Sequence, residues 1–335
     1  MPTPTYNFCT LFDSNYLSRG LTMYDSLEKQ CENFHLYVFT FDDKAYEILS
    51  KLNKKNITLI TLKQFESKEL LDVKSDRSIA EYCWTCTPST ILYVLNNFDV
   101  DNCTYIDADL FFYSSPKALF DELGDKSVLI TEHRFTPKYD RSEIAGTYCV
   151  QFITFKKDEQ GLKVLNWWVN ACLDWCYDRY EDGKFGDQKY LDDWTTRFEG
   201  VHVLQHLGGG LAPWNIQQYK VLNTSKKGIE MQNIADQSKF NAVFYHYHYV
   251  RFYSNLFVDY GWFKLGSSIV NTFYNPYVIE LNKSLKTIQT IDATFKESLR
   301  PFSIADANGI KEKLKIIFKL ASKYNLLKVK NIIPK

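Results

Sequence analysis

The sequence predicts an α/β protein with a mostly parallel central sheet and helices on both faces. Three observations carry that expectation. Short β-branched and aromatic runs alternate with segments of helical periodicity through the first hundred residues, the pattern of strand–helix–strand units. The chain is 335 residues long, enough for one large domain or two small ones. Thr104-Tyr105-Ile106 reads as a buried strand that runs into two carboxylates, Asp107 and Asp109.

Tyr6–Phe12 is the first strand, and Asp13-Ser14-Asn15-Tyr16 turns the chain into a segment where Leu17, Leu21, Tyr24 and Leu27 recur at helical spacing. Ligands of open α/β sheets bind beyond the carboxyl ends of the strands. Thr10, Asp13 and Asn15 are therefore candidate contacts to a nucleotide's base or ribose. Capping of the helix by Asp13 or Ser14 explains them as well. His35–Phe41 is a second strand, Asp42-Asp43 caps a helix through Leu52, and Asn56–Ile60 is a third strand. Glu66–Arg77 reads as a polar, mobile loop, where Lys74 and Arg77 can meet phosphate or simply face water. Ile79–Leu95 is a helix that delivers the chain to Thr104–Phe112.

Residues two apart in an extended chain point to one side, so Asp107 and Asp109 face together. Two bare carboxylates there repel each other and lose hydration. A shared divalent cation offsets that cost, and such a pair can grip a cation that already carries a diphosphate. Leu110-Phe111-Phe112 then returns to apolar character, which places the pair inside a buried element. A strand-end Asx turn is the competing explanation for so short a motif.

Beyond the motif, Pro116–Leu123 is a short helix, Ser127–Thr131 a strand, Thr136–Ala145 a polar loop and Gly146–Phe155 another strand. Asp158–Tyr180 reads as one long amphipathic helix whose apolar stripe is core. Gly186-Asp187-Gln188 opens the next helix; an N-cap explains Asp187 but not Gln188. In His206–Asn215, Gly208-Gly209-Gly210 permits close backbone approach to a ligand, with Gly209 at its centre. Trp214 offers an indole to an acceptor sugar, or packs. Val243–His248 reads as a strand with His246 and His248 on one face. From Lys311 onward Leu314, Ile317, Phe318 and Ala321 recur at helical spacing among eight lysines and one acid, a basic amphipathic helix.

Tyr105-Ile106-Asp107-Ala108-Asp109-Leu110 resembles the Asp-x-Asp segment of nucleotide-sugar glycosyltransferases of the GT-A fold. The nearest pattern is that of retaining bacterial galactosyl- and glucosyltransferases of the glycogenin and lipopolysaccharide type. By order of motifs the likeness covers roughly residues 6 to 255. It implies that Asp107, Ala108 and Asp109 meet the donor and that Asp107, Asp109 and His246 hold Mn²⁺ or Mg²⁺, with His248 as second choice. It further implies that Asp187 and Gln188 lie near the reacting anomeric carbon. Arg77 and Arg251 would face the diphosphate. The family's helix arginine is absent from Pro88-Ser89-Thr90-Ile91, and its Lys-Pro-Trp ending is missing. The resemblance divides the chain into a transferase domain, 1–275 (donor half 1–112, acceptor half 113–275), and a basic helical tail, 276–335.

Composition narrows the partners. Forty acidic and forty basic residues balance, which argues against nucleic acid. Met1–Pro4 lacks a charged, apolar leader, and eight cysteines without one fit a reducing cytosol. Cys83/Cys86 and Cys172/Cys176 have zinc-like spacing, but their hydrophobic surroundings make them core residues. No apolar run is long enough to span a membrane. The sequence therefore reads as a cytoplasmic, metal-dependent transferase that moves a sugar from a nucleotide-diphosphate donor to a glycan or lipid-linked acceptor, with its tail either on the inner membrane face or packed by its apolar side on the catalytic domain. A nucleotidyltransferase and a non-catalytic carbohydrate-binding protein are the alternatives.

Overall fold

The computed structural model describes residues 5–225, 228–253, 257–296, 299–300 and 309–333. The opening Met1–Pro4 lies outside them. The central sheet contains β1 (Tyr6–Phe12), β2 (Phe34–Thr40), β3 (Ile57–Thr61) and β4 (Asn102–Ile106). After a short strand, β5 (Leu110–Phe112), it adds β6 (Val128–Glu132), β7 (Tyr148–Lys156) and β8 (Val201–Val203). The seven strands lie in the order β3-β2-β1-β4-β7-β6-β8. β3, β2, β1 and β4 are parallel, β7 is antiparallel to both its neighbours, and β8 is parallel to β6. The α/β class expected from the sequence is the one observed.

Alternation along β1 explains why the sheet needs two helical layers. Phe8 and Phe12 point into a cluster with Leu17, Leu21 and Tyr24 of the helix Leu17–Gln30. Cys9 and Leu11 point into the opposite cluster with Ile91 and Val94 of the helix Ile79–Asn97, and Val164 and Trp168 of the helix Glu159–Asp174. Strands buried on both faces read as continuous apolar runs. β2 and β3 extend the sheet on one side of β1, and the chain then crosses back to place β4 on the other. That reversal opens a crevice at the carboxyl ends of β1 and β4, where open α/β sheets bind ligands.

Four local expectations need correction. Glu66–Arg77 is not a loop throughout. Lys68–Lys74 is helical, because Ser67 caps the amide of Leu70 and Leu70 is buried. The Asp158–Tyr180 helix stops at Asp174, where Trp175 turns extended. Thr136–Ala145 holds a helical turn at Pro137–Tyr139 and a short helix at Ser142–Ala145. The Val243–His248 strand is confined to Phe244–His246.

The rest of the chain builds a third cluster around Tyr245, Tyr247, Tyr260, Phe273 and Tyr277. It carries an antiparallel sheet of β9 (Tyr219–Ser225), β10 (Gly228–Asn233) and β11 (Lys239–Asn241). β12 (Phe244–His246) pairs antiparallel with β5. β13 (Arg251–Tyr253), β14 (Phe257–Asp259), β15 (Leu299–Arg300) and β16 (Leu326–Lys328) form a further sheet, so the tail lends a strand to this cluster. The tail helix, Ile310–Ser322, lies between β15 and β16 in the chain.

Candidate metal centre and active site

β4 ends at Ile106, and the next residues turn sharply: the amide of Leu110 donates to the carbonyl of Asp107. The turn sends Asp107 and Asp109 to the mouth of the β1/β4 crevice. β12 returns beside β5 and delivers His246 opposite Leu110. Nε2 of His246 then lies 3.1 Å from Oδ1 of Asp109 and 3.5 Å from Oδ2 of Asp107. One ligand atom from each of the three residues lies within 4.8 Å of the others. No other such cluster of His, Cys, Asp and Glu occurs among the described residues.

The charges are strongly interdependent. Burial pushes the Asp107 carboxyl up to about 7, with the His246 charge opposing and the Asp109 charge adding. Burial also disfavours ionised Asp109, but His246 outweighs it and holds that carboxyl below its ordinary range. His246 is likewise held well above the ordinary imidazole range, its burial overcome by Asp109 and Asp107. Two hard carboxylate ligands and one imidazole suit Mn²⁺ or Mg²⁺. The residues fit such an ion, because Nδ1 of His246 is already occupied at 2.9 Å by Oε1 of Gln151, leaving Nε2 to the carboxylate side.

His248 stands outside the three-residue cluster and is exposed. The indole of Trp214 packs edge-to-face on both histidines, with centroids 5.3 Å from His246 and 5.6 Å from His248. Trp214 is 5% exposed and donates to the carbonyl of His133. It therefore backs the histidines and offers no open platform to a sugar.

Asp187 is buried, and the charge of Asp107 acts on it. Burial first, then Asp107, pushes its carboxyl well above the ordinary range. It caps no helix; Gln188 occupies the cap position of the turn Lys189–Asp193. The indole of Trp168 donates to the Asp187 carbonyl at 2.9 Å, which ties this element to the core. The Gln188 amide donates to the carbonyl of Ala145 at 2.7 Å.

Thr10 lies wholly buried in β1. Asp13 caps the turn Ser14–Tyr16 by accepting from the amide and side chain of Asn15. Asp42, not Asp13, receives the Ser14 amide and hydroxyl. Arg77 lies 3.9 Å over the ring of Tyr177 and donates to the carbonyl of Leu173, which anchors it to the end of the Glu159–Asp174 helix. Arg251 stacks on Tyr249, and its charge reaches Tyr16 and His248. Packing accounts for the first two glycines of the triplet: a Cβ at Gly208 would strike the Asn241 carbonyl, and one at Gly209 the side chains of Leu204 and Leu119.

Sequence reasoning missed Arg19 and Cys149 and gave Gln151 no part in the metal centre. Arg19, buried on the first helix, donates to the carbonyl of Val250 and acts on Asp109. Its one signal was a charge between Leu17 and Leu21 of the helix's apolar repeat. Gln151 holds His246. Cys149 lies by His133 and His246, whose charges outweigh its burial and draw the thiol down to about 6. A shallow polar cavity lined by Thr5, Asn7, His35, Tyr37 and Asp99 sits at the other end of β1 and β2, away from these groups.

Fold and site together define an α/β protein with a candidate divalent-cation centre at the switch point of its sheet. No protein-family model matches the chain. It belongs to the same family as the Bacillus subtilis (strain 168) protein YfnF, to which it is 33% identical over 223 residues, 64% of this chain and 74% of YfnF. It is also 29% identical over 306 residues to YfnD of the same organism, 89% of this chain and 95% of YfnD. Both relatives are described as uncharacterized. Among solved structures it is similar to the galactosyltransferase LgtC bound to donor and acceptor sugar analogues (14% identity, TM-score 0.49, 83% of this chain and 95% of that one). It is similar too to mouse xyloside xylosyltransferase 1 (11% identity, TM-score 0.41, 60% and 85%).

Proposed function

We propose that this protein is a metal-dependent glycosyltransferase of GT-A architecture. It transfers a hexose from a nucleotide-diphosphate sugar, with UDP as the nucleotide, to a glycan or lipid-linked acceptor of a bacterial surface polysaccharide, with retention of configuration. The observation that carries the reading is the Asp107–Asp109–His246 cluster, set at the switch-point crevice with the buried Asp187 carboxyl close enough to feel its charge.

Asp107, Asp109 and His246 would hold Mn²⁺ or Mg²⁺ against the donor's diphosphate. When bound, the ion neutralises charge on the departing diphosphate. Arg251 adds a second positive charge on that side. The bond from the anomeric carbon to the diphosphate oxygen breaks, and its electron pair leaves with the diphosphate. The acceptor hydroxyl oxygen bonds to the same carbon, and its proton passes to a departing phosphate oxygen, a front-face course that needs no protein nucleophile. Asp187 would orient a hydroxyl of the donor or acceptor sugar through a hydrogen bond as positive charge develops on the ring. Gln188 supports the same face. Asp13 and Asn15, in the turn beyond β1, would meet the nucleotide, whereas Thr10, wholly buried in β1, would not reach it.

The tail supports a membrane-facing reading. Leu314, Ile317 and Phe318 are 60%, 46% and 52% exposed, and Lys315 and Lys323 beside them are exposed as well. No described helix is long and apolar enough to cross a membrane. An apolar stripe bordered by lysines fits reversible contact with an anionic inner leaflet, where a lipid-linked acceptor would be met.

Incubation with UDP-, GDP- and CMP-sugars and Mn²⁺ tests the function. The expected result is sugar transfer, or slow hydrolysis with release of the nucleoside diphosphate, abolished in Asp107→Ala. Pyrophosphate release from a nucleoside triphosphate and a sugar 1-phosphate, supplied in a parallel incubation, would instead identify a nucleotidyltransferase, and no turnover in either incubation a binding protein.

A further inference from the structure

We propose that Gln151 is the positioning residue of the metal centre: it selects which nitrogen of His246 faces the cation and fixes the plane of the ring. The inference rests on the metal-site reading above and adds a residue to it.

Gln151 is wholly buried in β7, where the β6–β7 register breaks. Leu129 pairs with Thr154 and Thr131 with Cys149, so two steps along β6 span five along β7. Irregularities of this kind re-aim a side chain out of the regular alternation. The side-chain oxygen of Gln151 lies 2.9 Å from Nδ1 of His246. An N–H on Nδ1 donates to it, and Nε2 is left toward Asp109 and Asp107. An imidazole is free to turn about its last torsion and to carry its proton on either nitrogen. An acceptor at Nδ1 removes both freedoms. With the amide reversed, its NH₂ would donate to Nδ1, the ring proton would sit on Nε2, and Nε2 could not ligate. The backbone of the same residue contributes too, since its carbonyl accepts the Asp107 amide at 3.1 Å. One residue thus braces two of the three ligands.

The amide nitrogen of Gln151 adds nothing to stability. Its Nε2 is buried and has no hydrogen-bond partner among the described residues. A buried, unpaired amide nitrogen costs free energy that an apolar side chain of similar size would not. The neighbouring Gly210, at φ +105°, leaves this nitrogen its space; a Cβ there would come within 3.1 Å of it.

The test uses the full chain and Mn²⁺ alone, without any sugar donor. Mn²⁺ affinity is measured by calorimetry or by electron paramagnetic resonance for wild type, Gln151→Leu and Gln151→Glu, and thermal unfolding of each is followed without metal. Gln151→Leu should weaken Mn²⁺ binding about 10- to 100-fold while its unfolding stays cooperative. Gln151→Glu keeps an acceptor oxygen at Nδ1 and should bind within about threefold of wild type. A merely structural role would instead lower the melting temperature in Gln151→Leu and leave its Mn²⁺ affinity unchanged. Equal Mn²⁺ affinity in wild type and Gln151→Leu, or equal loss in both variants, overturns the positioning role while leaving the metal centre standing. Failure of the wild type itself to bind Mn²⁺ overturns the metal centre and this role together.

Discussion

Nε2 of His246 and Oδ1 of Asp109 lie 3.1 Å apart, both on buried residues, and the backbone enforces the distance. β5 and β12 pair Leu110 with His246, and the amide of Tyr247 donates to the carbonyl of Asp109 at 3.0 Å. Asp109 and His246 are therefore held together at the end of one antiparallel ladder, with Asp107 in the tight turn that leads into it.

The two aspartates should separate in stability while agreeing in activity. Asp107→Asn and Asp109→Asn both lose sugar transfer. Asp109→Asn also leaves His246 without its close counter-charge and should cost about 3 kcal/mol. Asp107→Asn removes a carboxyl that burial already disfavours, so its stability should hold or rise. Urea denaturation of both variants without metal checks this, and equal destabilisation would contradict it.

The two histidines should separate in metal binding. His246→Ala should lose Mn²⁺ affinity by at least about tenfold, and His248→Ala should stay close to wild type, because His248 lies outside the ligand cluster. A Mn²⁺ titration decides; a larger defect in His248→Ala would reverse the assignment.

Asp187 predicts a pH signature. Its folded-state value is raised, so between about pH 4, the unfolded value, and that raised value the folded state holds a proton the unfolded state has lost. Stability without metal therefore falls as pH rises through this window, by about 1.4 kcal/mol for each unit of separation. Asp187→Asn lacks the titration. It should melt higher than wild type at pH 8, lose that advantage toward pH 4, and transfer no sugar. A melting difference that does not change with pH would refute the burial argument.

Lys319 and Asp259 form an ion pair in which the side chains are 4% and 0% exposed. The Lys319 ammonium also donates to the Gly261 carbonyl and lies 4.4 Å over the ring of Trp262. Lys319→Met should cost about 3 kcal/mol by leaving Asp259 buried and unpaired, and Asp259→Asn in the same chain should recover part of it. Chemical denaturation of the single and double variants measures both effects.

The exposed face of the tail helix gives a cleaner membrane test than truncation, which would also remove Lys319 and β16. Leu314→Ser with Ile317→Ser, which spares the stacking of Phe318 on Trp262, should reduce co-sedimentation with anionic vesicles several-fold and leave the fold intact by circular dichroism. Undiminished binding would show that the lysines alone, or another surface, meet the lipid.

Much of this was legible because it is local. Strand and helix periodicity, the turn at Asp13, the caps at Asp42 and Asp158, and the side shared by Asp107 and Asp109 all follow from residues within a few positions of one another. The helix in Glu66–Arg77 was missed because its charged residues outnumber the single leucine that anchors it. The tail's amphipathic period was legible, but which face it buries was not. A lysine, Lys319, goes inward because Asp259 waits there, and Leu314, Ile317 and Phe318 stay outside.

By itself, then, the sequence determined the α/β class and the carboxylate pair at a strand's end, since hydrophobic period and side-chain alternation act at short range. Only the tertiary structure decided which histidine completes the cluster. His246 and His248 are equivalent in sequence spacing, and what separates them is the register of β12 on β5, which ends the strand at His246. Register is a long-range property, set by pairing between segments more than a hundred residues apart. The same holds for Arg19, Cys149 and Gln151. Each is unremarkable among its chain neighbours and takes its part in the site from a contact that exists only once the chain has folded.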